Sequence, residues 1–280
     1  FGQDKFPGIL KAPLIFTKDR GRFEGKSWKE HWEEGAPLLG FGGGPFDEHA
    51  FEGEPRKEGE CCASLITKFL GKEDDAALMA IVNEVKKGDL FGSQKGLLDL
   101  PRKIRALHLH SGRSQEDILF SLMPDLDLLY RWQKTFWACK DEVVQGVKSG
   151  KTCAEKLIIG KKECILIGVE SDNPEMMGFC FHAGAGLIIH KSSVGNCQIF
   201  PKKGLGINMD IIAAIVRAAE CRLRGRLVDE AKLSEHGTLS FCPEWHYEGW
   251  GLFNGTNTAN NIPTALSMDQ LIGCIKFVLV

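Results

Sequence analysis

The apolar segment Ala36 to Leu39 runs directly into Gly40-Phe41-Gly42-Gly43-Gly44-Pro45-Phe46-Asp47-Glu48-His49. Such a glycine string constrains the backbone to a sharp turn after a strand and leaves room for a ligand to approach closely. Two carboxylates and an imidazole follow at once. They are oxygen and nitrogen donors of the kind that hold Mn²⁺ or Mg²⁺ and position water. A glycine-rich surface turn with a solvated acidic tip would read the same way.

The 280 residues, 43% of them hydrophobic, suffice for a full core and point to two domains. A formal charge of −2 gives no global preference for nucleic acid, so any polyanion would need a local basic patch. No apolar run reaches the eighteen or more residues of a membrane span, and a soluble protein without a membrane partner is expected. The ten cysteines sit mostly in apolar contexts (Cys139, Cys164, Cys180, Cys221, Cys274) and read as reduced, buried thiols. With no C-x-x-C pair, a structural zinc site is not expected. These points together place the expected location in the cytoplasm. Asn254-Gly255-Thr256 matches a glycosylation sequon and is read as chance. The opening Phe1-Gly2-Gln3-Asp4-Lys5-Phe6-Pro7-Gly8 reads like the tail of a helix entering a loop, so upstream residues are expected.

Along the chain, Ala12 to Phe16 is a β-like run, and Trp28 and Trp32, four apart, share a helical face. Ala36 to Phe41 reads as the strand before the glycines. Glu60 to Leu70 fits a buried helix stopped by Gly71. Asp74 and Asp75 are plausible starts for a helix that ends near Gly88, with Asp89 just past it. Ser114-x-x-Asp117 is a capping pattern, and a long helical stripe runs from Asp125 to about Val147 after Pro124. Beyond the Ser149-Gly150 shift, Glu163 to Val169, Gly178 to His182, Gly186 to His190 and Cys197 to Phe200 are short β runs. Ile211 to Leu223 is a helix ending in Arg222, Arg224 and Arg226, which read as a solvated terminus complementing the dipole. A strand at Gly251 to Phe253 and a helix led by Ser267 close the chain.

Asp47, Glu48, His49 and Asp89 each follow an element end, where sites tend to lie in α/β folds. His108 and His110 would share a face on a strand and diverge on a helix. Lys191, Ser192, Ser193 and Asn196 combine a cation with small donors beside a strand, chemistry suited to phosphate oxygens. A plain hairpin with a polar turn has the same composition. His246 and the loop Asn254-Gly255-Thr256-Asn257 are further candidate ligand contacts.

GGG-P-FDEH, then ECCASLITKFLG, then a helix ending in Gly88-Asp89, resembles the DHH phosphoesterase superfamily, and within it the melanocyte-proliferating-gene family of RNA exonucleases. The tail LFNGTNTANNIPTALSMDQL is similar to that family's C-terminal segment, and the likeness covers most of the chain. The resemblance implies an α/β protein of two domains, in which a DHH-like parallel-sheet domain (1–112) is joined by a long helical connector (113–150) to a smaller mixed α/β, substrate-binding domain (151–280). It implies hydrolysis of phosphodiester or phosphoanhydride bonds with Mn²⁺ or Mg²⁺. Asp47 and His49 match the first and last positions of the Asp-His-His motif, and Asp89 the later metal-binding aspartate. Glu48 stands where the family has its middle histidine, and Gly40 where it has an aspartate. The family's first, His-x-Asp type motif is absent.

The leading expectation is therefore a metal-dependent phosphoesterase, with an RNA or oligonucleotide exonuclease as its narrower form. Asp47 and His49 are its catalytic residues, and Asp47, Glu48, His49 and Asp89 its metal ligands. Lys191, Ser192, Ser193, Asn196 and His246 grip a phosphorylated small molecule or single-stranded nucleic acid. A homo-oligomer is left open. The rival expectation is a catalytically impaired DHH-like protein that binds a nucleotide or a partner; Gly40 and Glu48 support it.

Overall fold

The computed structural model describes residues 5–17, 22–51, 53, 55–92, 100–159, 162–255 and 262–279. The chain divides into two compact units, Phe1–Lys134 and Thr135–Val280, with the division inside one long helix.

The first unit is built from helices and loops. Helix α1 (Trp28–Glu33) starts at a capping box in which Ser27 and Glu30 satisfy each other's free amides. Helix α2 (Cys62–Phe69) ends at Leu70 and Gly71, close to the expected stop. Helix α3 (Ala76–Phe91) is capped by Asp75, whose side chain accepts from the Leu78 amide. Helices α4 (Leu100–His110) and α5 (Gln115–Ser149) follow. Ser114 caps α5 through the Asp117 amide, and α5 passes through Pro124 instead of resuming after it.

The resemblance implies a parallel sheet in this region, yet the described residues of the first unit contain no strand. Ala12 to Phe16 and Ala36 to Phe41 are irregular. Each carries a proline (Pro13, Pro37) that offers no amide to a ladder, and no neighbouring strand among the described residues is there to pair with. An aromatic cluster supplies the packing instead. Phe46, 1% exposed, meets Phe69 edge-on at 5.2 Å and Trp32 at 5.8 Å, with Phe6 6.3 Å away.

The second unit carries a seven-stranded mixed sheet of order β1-β2-β3-β4-β7-β6-β5. Its strands are β1 (Thr152–Ile159), β2 (Lys162–Glu170), β3 (Ala185–Lys191), β4 (Cys197–Pro201), β5 (Gly237–Leu239), β6 (Cys242–Tyr247) and β7 (Leu252–Asn254). Only β2 and β3 pair in parallel among the described residues. Their crossover is helix α6 (Met176–His182), which corrects the β run expected at Gly178 to His182. The Asn173 side chain accepts from the Glu175 amide and turns the chain into a helix. Met176, Phe179 and Cys180 then bury at helical spacing. Helix α7 (Met209–Leu223), capped by Asn208, and helix α8 (Met268–Leu279), capped by Ser267, pack with one sheet face. Leu187, Ile189, Ile199, Leu252, Trp245 and Tyr247 point into that core. On the other face α6 and the C-terminal part of α5 cover Ile167, Val169 and Ile188.

The ten cysteines are all free, and Cys139, Cys164, Cys180 and Cys221 are buried as expected, with Cys274 partly so. No helix among the described residues is long and apolar enough to cross a membrane.

Candidate functional site

The glycine string closes a tight loop around Asp47. Gly40, Gly42 and Gly43 all adopt positive φ (74°, 78° and 73°), a region costly for any residue with a Cβ. The Gly40 amide donates to the Phe46 carbonyl at 3.0 Å, and the Asp47 amide to Gly44 at 3.2 Å. A Cβ on Gly43 would stand 2.5 Å from the Phe51 ring. Phe46, fixed in the aromatic cluster, therefore delivers Asp47 and Glu48 into the interior, where they are 2% and 4% exposed.

Asp47 is tightly held. Its Oδ2 accepts from the Gly43 amide at 2.8 Å, and its Oδ1 from the His49 amide at 3.0 Å, with the His49 ring Nδ1 2.8 Å away. Burial pushes the Asp47 carboxyl up, but these amide and imidazole hydrogen bonds outweigh it and hold the carboxyl below its ordinary value. Lys57 closes the loop from beneath: its Nζ donates to the Gly44 and Asp47 carbonyls at 2.8 and 2.7 Å, and its amide to Glu48 O at 2.9 Å.

Glu48 is held differently. Its Oε1 lies 3.6 Å from His49 Nδ1, and its Oε2 is buried with no hydrogen-bond partner. Donor atoms of Asp47, Glu48 and His49 all lie within 4.8 Å of one another. The His49 ring is about half exposed, so this cluster of buried carboxylates has one open side. Two carboxylates and an imidazole are donors that fit Mn²⁺ or Mg²⁺. The orphaned Glu48 oxygen is the position that a cation would satisfy.

Asp89, expected just past a helix end, lies inside the last turns of α3, exposed, and outside that donor group. It remains a neighbour of α2: burial first, and then the charges of Glu48, Asp47 and Asp89 among others, push the Cys62 thiol up to about 12. His108 and His110 are on α4, exposed, and on a helix diverge as the spacing requires.

The phosphate-gripping candidates fall in two places of the second unit. Lys191 ends β3, and Ser192, Ser193 and Asn196 lie in the β3–β4 turn. Lys191 Nζ is committed to the Leu266 carbonyl at 2.7 Å, and the Ser193 amide to Asp172 at 2.9 Å. Ser192 Oγ is buried with no partner, and the Asn196 side chain packs on Gly255. His246 is three strands from β3 in sheet order, between Thr238 Oγ1 (2.8 Å from Nδ1) and Glu248. Thr256 and Asn257 lie outside the described residues. Asn254 is fully buried, bonded to the Glu244 and Ile262 carbonyls and the Thr264 amide.

Sequence reading missed a second buried charge cluster. Glu220 accepts from Arg224 Nε at 2.6 Å, Trp245 Nε1 at 3.1 Å, the Ala265 amide at 2.9 Å and the Thr264 hydroxyl. Burial pushes its carboxyl up, and these hydrogen bonds more than reverse it, leaving it below the ordinary value. Glu244 accepts from Arg226 at 2.7 Å and faces Arg224 Nε at 3.1 Å as an ion pair outside hydrogen-bond geometry. The arginines expected as a solvated helix terminus are thus, at 224 and 226, partners of buried acids. Only their placement in the fold reveals this. Lys57 was hidden for the same reason, as part of a loop without periodicity. No family model, no curated protein and no solved structure matches this chain.

Proposed function

We propose that the 40–49 loop is a divalent-cation site and that the protein is a metal-dependent phosphoesterase resembling the DHH superfamily. The observation that carries this reading is Glu48 Oε2, buried and unpartnered beside the donors of Asp47 and His49. An unpaired carboxylate oxygen at that depth is costly unless a cation meets it. Mn²⁺ or Mg²⁺ bound there would lower the pKa of a coordinated water and screen phosphate charge.

The chain's own residues have definable parts in this chemistry. Asp47 stays ionised at neutral pH because its amide and imidazole partners favour the charged form. The His49 ring, open to solvent on one side, has Nδ1 held by Asp47, so Nε2 is its one free nitrogen: it would take a proton from an entering water only where the two carboxylates alone hold the cation. Lys57 keeps the loop backbone in place through two carbonyls and offsets the local negative charge.

The second reading is a binding protein that takes the ion without turnover. It is favoured by one feature: both Asp47 oxygens already accept hydrogen bonds from the loop itself. A Mn²⁺ titration read by thermal unfolding and by hydrolysis of bis-p-nitrophenyl phosphate separates the two. A rise in Tm with turnover, both lost in Asp47→Asn, supports the hydrolase. A rise in Tm without turnover selects the binding protein. No response at all, or an Asp47→Asn protein indistinguishable from the parent in both, ends the metal reading.

A further inference from the structure

Helix α6 and part of α5 cover one face of the sheet only over β2 and β3. The buried cluster beneath these helices takes its strand residues from β2 and β3 and none from β4, β7, β6 or β5. The register fixes which side chains lie there. Gln198 pairs with Phe253, Phe253 with His246, and Phe200 with Ile188, so Gln198, Phe200, Phe253 and His246 share that face beyond the cluster.

Three aromatic rings on this surface form a built stack. Phe200 lies against Trp250 with centroids 5.4 Å apart and planes 29° from parallel, and meets Phe253 edge-on at 5.1 Å. Gly251 makes the stack possible: a Cβ there would stand 2.6 Å from the Phe200 ring. The turn is closed by the Glu248 amide on Gly251 O at 3.1 Å. Trp250 is nevertheless 61% exposed. An indole braced from beneath by a second ring and open above is a stacking surface for another flat ring. Beside it the face offers the Gln198 amide, while the His246 imidazole on the same face is held by Thr238 and Glu248. Lys202 and Lys203, exposed and without an ion pair among the described residues, follow directly on β4. Glu248, the acid nearest in sequence to Trp250, is engaged by His246.

We infer that this face binds single-stranded nucleic acid, with a base stacked on Trp250 and the sugar–phosphate chain running past Lys202 and Lys203. The alternation of π surface, polar edge groups and uncompensated lysines matches an anionic polymer of flat rings better than it matches an uncharged apolar partner. This surface deepens the phosphoesterase reading by naming a polymeric substrate class, but its binding does not need the metal loop.

The test is fluorescence anisotropy of a labelled oligo-uridine on the full chain in EDTA. The parent binds, and Trp250→Ala weakens binding about tenfold or more, as removal of one base–aromatic stack does. Trp250→Phe retains most of the affinity. Lys202→Ala with Lys203→Ala lowers the salt dependence, by about 0.7 in logarithmic slope for each phosphate no longer neutralised. Unchanged thermal unfolding of Trp250→Ala shows that the weaker binding is not misfolding. A parent that does not bind the oligonucleotide, a parent that binds a proline-rich peptide on this face in its place, or a Trp250→Ala variant that binds like the parent overturns the inference. Binding is read without metal and turnover with it. An Asp47→Asn protein that fails to hydrolyse yet binds fully therefore upholds this surface, and a Trp250→Ala protein with intact binding and intact Mn²⁺ turnover sinks the surface alone.

Discussion

Among the described residues the protein buries two pairs of carboxylates, and it treats them in opposite ways. Glu220 and Glu244 in the second unit are fully buried and answered by arginine: Glu244 Oε1 has no hydrogen bond, but it lies 3.1 Å from Arg224 Nε. Glu220 has four donors on its two oxygens, and both residues face Arg224, with Arg226 on Glu244 as well. Asp47 and Glu48 in the first unit are nearly as deep, but one oxygen is left unmet and a half-exposed imidazole stands beside it. The contrast teaches that depth alone does not mark a site. A buried acid whose every oxygen meets a hydrogen-bond donor or an arginine of the fold is a structural strut. One left partly unanswered is a place where something else belongs.

The contrast predicts unequal responses to mutation. The largest effect is expected at Glu220→Ala, which takes the acceptor from the Trp245 N–H, the Thr264 hydroxyl and the Ala265 amide at once and leaves Arg224 with Glu244 alone as its acid; urea unfolding should show a loss of about 3–5 kcal/mol. A neutral result there would mean the network is dispensable and the comparison empty. Gly43→Ala comes next. Its positive φ and the Phe51 ring make any Cβ strained, with a cost of about 1–3 kcal/mol by the same assay and loss of the Mn²⁺ response.

Acid should act on one carboxylate of each pair, Asp47 and Glu220, with the same sign. The Asp47 and Glu220 carboxyls are held below their ordinary values in the folded protein, so the unfolded chain binds their protons more readily. Their stabilising contribution is complete above the unfolded values of about 3.9 and 4.3, and is lost as pH falls through the lower folded ones. Thermal unfolding across this range should show an acid limb that is reduced in Asp47→Asn. An identical limb in that variant would contradict the hydrogen-bonded Asp47. The smallest effect on folding belongs to Glu48→Gln. Replacing an unpaired buried charge by a neutral amide should leave stability unchanged or raise it by up to about 1 kcal/mol, while abolishing the Mn²⁺-dependent Tm shift. A large destabilisation would show that Glu48 is a strut after all and would erase the difference between the two pairs.

Local signals carried some elements well. Asp75, Ser114 and Ser267 each head a helix with a side chain on an early amide, and such caps are legible because they are fixed within four residues. The runs at β2, β3 and β4 were legible from their apolar β-branched content. Gly178 to His182 was misread because a five-residue apolar stretch looks alike in either state, and the Asn173 turn that makes it helical lies upstream. Strands β1, β5 and β6 escaped because their neighbours, not their own composition, make them strands. The first unit's missing sheet is the same lesson reversed: strand-like segments without partners stay irregular.

The sequence by itself determined that a glycine turn would present Asp47, Glu48 and His49 together. Three consecutive residues after a turn cannot be far apart, and only glycine readily takes the backbone angles found at Gly40, Gly42 and Gly43. What only the tertiary structure decided is which charges are answered. Glu220 meets the Ala265 amide forty-five positions away and Phe46 meets Phe69 across a loop, and no local pattern encodes such encounters. Desolvation and its compensation are properties of the packed interior. The unmet oxygen of Glu48 and the satisfied ones of Glu220 therefore exist as a distinction only once the chain has folded.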